Sequence, residues 1–187
     1  MNNKYDEMYF HGLAGNIIVT NSDELVINTA LEQLENIILT GGIYSRNKLK
    51  EFNIEYSHKP VENGNDYISV CVKNPDEIEF TGYNEGLESS YVSYIKRNKI
   101  ALIIDKSIEK THTFRNPEES HMLPGERQIK DGISTNYIVG ISVMFDNEQS
   151  MNLASSRIKE LLQKYNINIP ILDNNLEQID VENIVVR

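Results

Sequence analysis

The sequence predicts an α+β fold, and three observations carry that prediction. Apolar runs and helical stretches follow one another as strand, helix, strand, helix, strand, loop, strand, helix, without the regular crossover helices of a doubly wound parallel sheet. The run KIALIIDKS, residues 99–107, is apolar on both faces and ends at Asp105, as a central strand should. No glycine loop with the spacing of a phosphate-binding turn is present; Gly-Leu-Ala-Gly at 12–15 follows a candidate strand but has neither spacing. The 187 residues suit one domain spanning 1–187, with a C-terminal helix and tail over 148–187 packing on its core.

Taken in order, residues 8–19 read as a strand and turn. Residues 21–42, NSDELVINTALEQLENIILTGG, read as a helix capped by Ser22, with Asp23 and Glu24 in its first turn and Gly41-Gly42 as its stop. Leu25, Leu31, Leu34, Ile38 and Leu39 then fall near one face. A turn and short helix follow in IYSRNKLKEF. Asn63-Gly64 signals a turn ahead of the strand YISVCVK. PDEIEFTGYNEG reads as polar loop with a short strand, and LESSYVSYIKRN as a short helix. Beyond the central strand, residues 106–125 are polar and loop-like, a length that marks functional segments in compact domains. Its two histidines, His112 and His121, read as solvent-exposed. An extended segment from Glu126, a strand over 138–145, a helix over 148–166 and a final strand in the tail complete the chain.

Bulk chemistry excludes several function classes. A net charge of -10 opposes generic binding to a phosphate backbone, although Lys48, Lys50, Lys96, Arg97 and Lys99 could build a local basic groove. The lone Cys71 excludes an intramolecular disulfide and a multi-cysteine zinc site. His11, His58, His112 and His121 have no metal-ligand spacing, so no metal is expected. No run is long and apolar enough to span a bilayer, and the polar start MNNKYDEMYF is unlike a signal peptide. The expectation is a cytoplasmic protein, or an effector secreted without a cleaved signal, with no membrane partner.

One acid stands out by position. Glu126 follows the Pro124-Gly125 turn and precedes a buried strand. It is either a solvated loop charge or an acid at the rim of a pocket. Two other stretches bear on the choice: Tyr9-Phe10-His11-Gly12, and the helix exit Gly41-Gly42-Ile43-Tyr44-Ser45-Arg46-Asn47. In this order, with GERQI…YIVGISV third, the three resemble the ADP-ribosyltransferase superfamily over about residues 9–145, in its His-Tyr-Glu-like class. GGIYSRN is also similar to the GLLSRN segment of DarT-type toxins, which modify DNA bases.

The resemblance implies a split of two small packed β-sheets flanked by helices around an NAD cleft. It implies NAD as substrate and Glu126 as the acid that stabilises an oxocarbenium-like ribose. His11 would hold the adenosine ribose beside Gly12. Ser45, Arg46, Asn47 and Ser69 would line the pocket, with Arg46 on the pyrophosphate. Tyr44, Tyr67, Tyr91 and Tyr94 are available to stack on nicotinamide. Ser45-Arg46-Asn47 also reads as the capped start of a short helix that needs no ligand, and Tyr91 and Tyr94, three apart, also read as helix packing.

The sequence departs from the family in three places. Pro124 stands where the arginine-modifying class has a second acid, with Gln128 two residues after Glu126 instead. Lys73 stands where DarT-type toxins have a functional arginine, so DNA modification is not supported. A Ser-Thr-Ser second motif is absent, Ser69 being the nearest equivalent. The expected function is mono-ADP-ribosyl transfer to a macromolecular acceptor, a protein ahead of a nucleic acid, by a bacterial toxin, an effector or a phage protein with an antitoxin or host partner. The alternatives are an NAD glycohydrolase on the same scaffold and a non-catalytic interaction module.

Overall fold

A computed structural model describes residues 25–54, 66–71, 99–115, 126–145, 147–173 and 175–180. The apolar run at its centre behaves as its composition requires. Strand β4 (Ile100–Ile104) is buried at every position and lies between β1 (Leu25–Thr29) and β8 (Ile138–Val143). The strands of the larger sheet run in the order β5-β6-β3-β1-β4-β8-β9, where β3 is Tyr67–Cys71, β5 Phe114–Arg115, β6 Glu126–Lys130 and β9 Ile171–Leu172. Neighbours pair antiparallel, except β8 with β9, which are parallel. A separate two-stranded sheet pairs β2 (Gly42–Tyr44) with β7 (Gly132–Ser134).

The helix expected over 21–42 is corrected in its first half. Leu25–Thr29 is a strand, and helix α1 covers Leu31–Thr40. Leu-Val-Ile-Asn-Thr is buried throughout and pairs residue for residue with β4, from Leu25↔Ile104 to Thr29↔Ile100. Burial on both faces removes the alternation that marks a strand in sequence. The N-cap of α1 is Ala30, which makes no capping hydrogen bond, while Gly41 (φ 74°) ends the helix in the left-handed conformation. Gly42 does not extend that stop; it opens β2. The proposed cap Ser22 lies outside the described residues, as do the expected strand at 8–19 and the expected helix at 87–98.

The segment after β4 is more ordered than a loop. A 3-10 helix spans Lys106–Lys110, capped by Asp105, and β5 follows it. The amide of Ser107 donates to Asp105 Oδ1 and holds its carboxyl below the usual carboxylate range. His112 is half-buried, edge-on to Tyr137 with ring centroids 5.3 Å apart, instead of solvent-exposed. The C-terminal helix appears as α3 (Glu148–Lys164), capped by Asn147, whose Oδ1 accepts from the amide of Ser150.

Both helices cover one face of the larger sheet. Leu34 of α1 and Ala154, Ile158 and Leu162 of α3 pack with Leu25, Ile27, Ile68, Val70, Leu102, Ile104, Ile129 and Ile141. Each fully buried Leu or Ile contributes about 1.5–3 kcal/mol of apolar transfer. On the opposite face Val26, Ala101, Ile103 and Met144 form a second cluster. Among the described residues no helix is long and apolar enough to cross a membrane.

Among the described residues β1 and β3 are joined through the register pair Val26↔Cys71, and β1–β4 and β3–β6 are each joined over five pairs. Along the strand order, a β5-β6-β3 part lies on one side of the β3–β1 pairing and a β1-β4-β8-β9 part on the other.

Candidate functional site

The backbone of Glu126 begins β6, opposite Cys71 of β3. Cys71 in turn pairs in register with Val26, so Val26, Cys71 and Glu126 form one backbone row across β1, β3 and β6. The turn residues ahead of Glu126, including Pro124, lie outside the described residues. The sequence-predicted Ser69 pairs with Gln128, one hydrogen-bonding step along from Glu126. Gln128 alternates with the core residue Ile129, which packs with Ile68 and Val70, and so stands on the face away from them.

The helix-exit motif is carried to the far end of that same strand pair. Tyr44 of β2 pairs with Gly132 of β7, directly after β6. The amide of Ser45 donates to the carbonyl of Asp131 (2.9 Å), and the amide of Asp131 donates to the carbonyl of Asp66, just before β3 (2.7 Å). Gly132 makes this approach feasible. At φ 119° it lies outside the region that side chains favour, and a Cβ there would sit 2.2 Å from the carbonyl oxygen of Ile43 and 2.6 Å from the Cα of Tyr44. The second and third motifs therefore meet in space.

Within the corner Tyr44, Ser45 and Asn47 each have a visible task. Ser45 is buried and caps helix α2 (Arg46–Glu51), its hydroxyl accepting from the amide of Lys48 at 3.3 Å. Arg46 is buried at 9% exposure. Asn47 Nδ2 donates to Asp66 Oδ1 at 2.6 Å, fastening the helix start to β3. The ring of Tyr44 folds back over Gly42, its hydroxyl donates to the carbonyl of Gly41, and it meets Phe52 edge-on with centroids 5.1 Å apart. Lys48 is drawn to Glu51, at 2.6 Å, which pushes its pKa up. The helix-capping reading of Ser45 is thus realised, and it leaves the neighbouring backbone anchored to β6.

A polar array surrounds Gln128 of β6, and sequence reading missed the residue that organises it. Arg115, on β5, pairs with Gln128 in register. Its Nε donates to Gln128 Oε1 at 2.9 Å, and its guanidinium stacks 3.3 Å from the ring centre of Tyr67. On the core-side face, Arg127 stacks 4.0 Å from the ring centre of Phe114 and forms an ion pair with Glu109. Adjacent residues of β5 therefore grip β6 from both faces. Arg115 carried no local signal, because Gln128 and Tyr67 are brought to it only by strand pairing.

His11, Gly12, Tyr91 and Tyr94 lie outside the described residues. No group of His, Cys, Asp and Glu able to hold a metal occurs among the described residues. What the described residues bring together is a strand that opens at Glu126, a polar array on Gln128 of the same strand, and a Tyr-Ser-Arg-Asn corner anchored at its far end.

No protein-family model and no curated protein matches the chain. Solved structures do. DarT from Thermus sp. 2.9 in complex with carba-NAD+ is 10% identical, with 82% of this chain and 95% of that one covered at a TM-score of 0.50. The same protein in complex with NAD+ is 9% identical, with 82% and 96% covered at a TM-score of 0.50. Its complex with ADP-ribosylated ssDNA is 10% identical, with 83% and 95% covered at a TM-score of 0.47. The fold of this chain is ADP-ribosyltransferase-like.

Proposed function

We propose that the protein is an NAD-dependent mono-ADP-ribosyltransferase with a macromolecular acceptor. The observation that carries this reading is the position of Glu126. It opens strand β6, opposite the end of β3, in a fold shared with structures solved with NAD+ and carba-NAD+. In the reaction the bond between the ribose C1′ and the nicotinamide nitrogen breaks, and nicotinamide leaves with the electron pair. A lone pair on the acceptor forms the new bond to C1′, and the acceptor's proton passes to solvent. The Glu126 carboxylate would stabilise the positive charge that develops on the ribose. His11, beside Gly12, would hold the adenosine ribose. The Tyr44–Asn47 corner and Ser69 would line the NAD pocket, with Tyr44, Tyr91 or Tyr94 against nicotinamide.

The test is to incubate the wild type and Glu126→Gln with NAD, with and without cell lysate. Free nicotinamide is followed by chromatography, and labelled ADP-ribose in separated protein and nucleic-acid fractions. Nicotinamide release by the wild type, lost in a folded Glu126→Gln variant, supports the reading, and the labelled fraction identifies the acceptor class. Release without any labelled product assigns an NAD glycohydrolase. No release in any sample, together with no effect of NAD on thermal stability, overturns the enzyme reading.

A further inference from the structure

Helix α2 is too short to hold its own direction. Its 6 residues, Arg46–Glu51, fall well below the roughly 12–15 at which an isolated helix is even marginal in water. Where it points is therefore set by what its first turn is tied to. The chain before it is fixed by backbone: Tyr44 pairs with Gly132, and the amide of Ser45 donates to the carbonyl of Asp131 at 2.9 Å. The helix itself is tied by a side chain. Asn47 Nδ2 donates to Asp66 Oδ1 at 2.6 Å. The carbonyl of Asp66 also accepts from the amide of Asp131 at 2.7 Å. Asp66 thus holds the turn after β6 with its backbone and the first turn of α2 with its carboxylate. Arg46, buried, lies between the two anchored residues Ser45 and Asn47.

We infer that Asp66 is a positioning residue for NAD: its carboxylate, acting through Asn47, fixes the start of α2 that the proposed function sets against the dinucleotide. Asp66 itself acts without touching NAD. Without the bond, the start of α2 samples several arrangements. NAD then binds only the competent fraction, and its apparent affinity falls by that fraction. Bound NAD restores the arrangement, so the chemical step keeps its rate. The signature is a raised KM for NAD with little change in kcat. The sense of the bond is fixed by chemistry, since an ionised carboxylate only accepts and the amide nitrogen only donates. This inference rests on the proposed transferase function, in which the Tyr44–Asn47 corner lines the NAD pocket.

The experiment measures nicotinamide release against NAD concentration for wild type, Asp66→Ala, Asp66→Asn, Asn47→Asp and the double variant that joins Asn47→Asp with Asp66→Asn. Each is first checked for a cooperative melt. Asp66→Ala removes the acceptor and should raise KM about fivefold, as for one exposed hydrogen bond to a charged group, with kcat within about twofold. Asp66→Asn keeps an oxygen for Asn47 and should stay within about twofold of wild type in both constants. Asn47→Asp sets carboxylate against carboxylate and should raise KM at least as far as Asp66→Ala. The double variant reverses the bond, with the amide at 66 and the carboxylate at 47, and should bring KM back toward wild type. That recovery separates positioning from direct contact of Asn47 with NAD, which the exchange would not repair. The shift in melting temperature on adding NAD should rank the variants in the same order. The inference is overturned if Asp66→Ala lowers the melting temperature and leaves KM unchanged, if kcat falls with KM unchanged, or if the double variant does as badly as Asn47→Asp. Should Asp66→Ala fail to melt cooperatively, Asn47→Asp against the double variant decides. Nicotinamide release by wild type is read first, with and without lysate; its absence overturns the transferase reading itself, and this inference with it.

Discussion

Replacing Gly132 by alanine should be among the most damaging single-methyl changes available to this chain. The new Cβ would lie 2.2 Å from the carbonyl oxygen of Ile43 and 2.6 Å from the Cα of Tyr44, well inside the 3.4 Å at which ordinary contact begins. Both neighbours are backbone, so no rotamer change relieves the overlap. Overpacking of this kind costs about 1–3 kcal/mol. The backbone at φ 119° adds strain of about 1–3 kcal/mol for a residue with a side chain. A combined loss of about 3 kcal/mol corresponds to a drop in melting temperature of about 6–12 °C for a chain of this size. Gly41→Ala is the matched control, because Gly41 also has a positive φ, 74°, but has nothing within 4 Å of its Cβ position. It should lose only about 1–2 kcal/mol. Thermal melts followed by circular dichroism decide the matter. If Gly132→Ala melts at or above Gly41→Ala, the close approach of β2 to the β6–β7 turn is not as described.

Two further outcomes follow from the packing and the charges. Ile158→Ala on α3 empties a position with 0% exposure and should cost about 2–5 kcal/mol in urea unfolding, with an unchanged denaturant slope. Glu35 on α1 accepts from Lys164 Nζ at 2.7 Å and from Tyr165 at 2.8 Å, and these bonds hold its carboxyl below the usual carboxylate range, Lys164 contributing most. A depressed folded-state pKa stabilises above the unfolded value and loses that contribution as pH falls through the folded value. Melting temperature should therefore fall less steeply for Glu35→Gln than for wild type on acidification from neutrality, with the two converging at the acid end. Raised salt should shrink the difference, since the pair is exposed. Parallel acid slopes would refute the assignment.

What could be read from sequence was whatever depends on neighbours along the chain. The apolar run Ile100–Ile104 is a central strand because five consecutive buried residues leave few other choices. The helix expected over 148–166 is found at Glu148–Lys164. The Ser45 cap and the left-handed stop at Gly41 were legible for the same reason. The errors fall where distant pairing decides. Leu25 sits in a helical spacing with Leu31, Leu34, Ile38 and Leu39, so the period runs smoothly across Ala30. Only the register with β4, more than 70 residues away, extends Leu25–Thr29 into a strand. The short β2 and β5 are strands solely because β7 and β6 lie beside them. In the candidate site, position 126 and the Tyr44–Asn47 corner were visible. The bonds from Ser45 to Asp131 and Asp131 to Asp66, and the grip of Arg115 on Gln128, were not.

The strand order has a consequence for how the chain acquires its structure. Along the sequence, strands of the two parts of the larger sheet alternate: β1 and β4 enclose β3, and β4 and β8 enclose β5 and β6. A growing chain that has completed β3 can close neither ladder across it, because the partners β4 and β6 are still to come. Each ladder must wait for a loop of tens of residues to close, and that entropic cost falls before any pairing rewards it. Folding should therefore sit at the slow, late-committing end of the range for domains of this size. The same interleaving means that no single cut between β1 and β9 yields two fragments that each carry a complete part of the sheet.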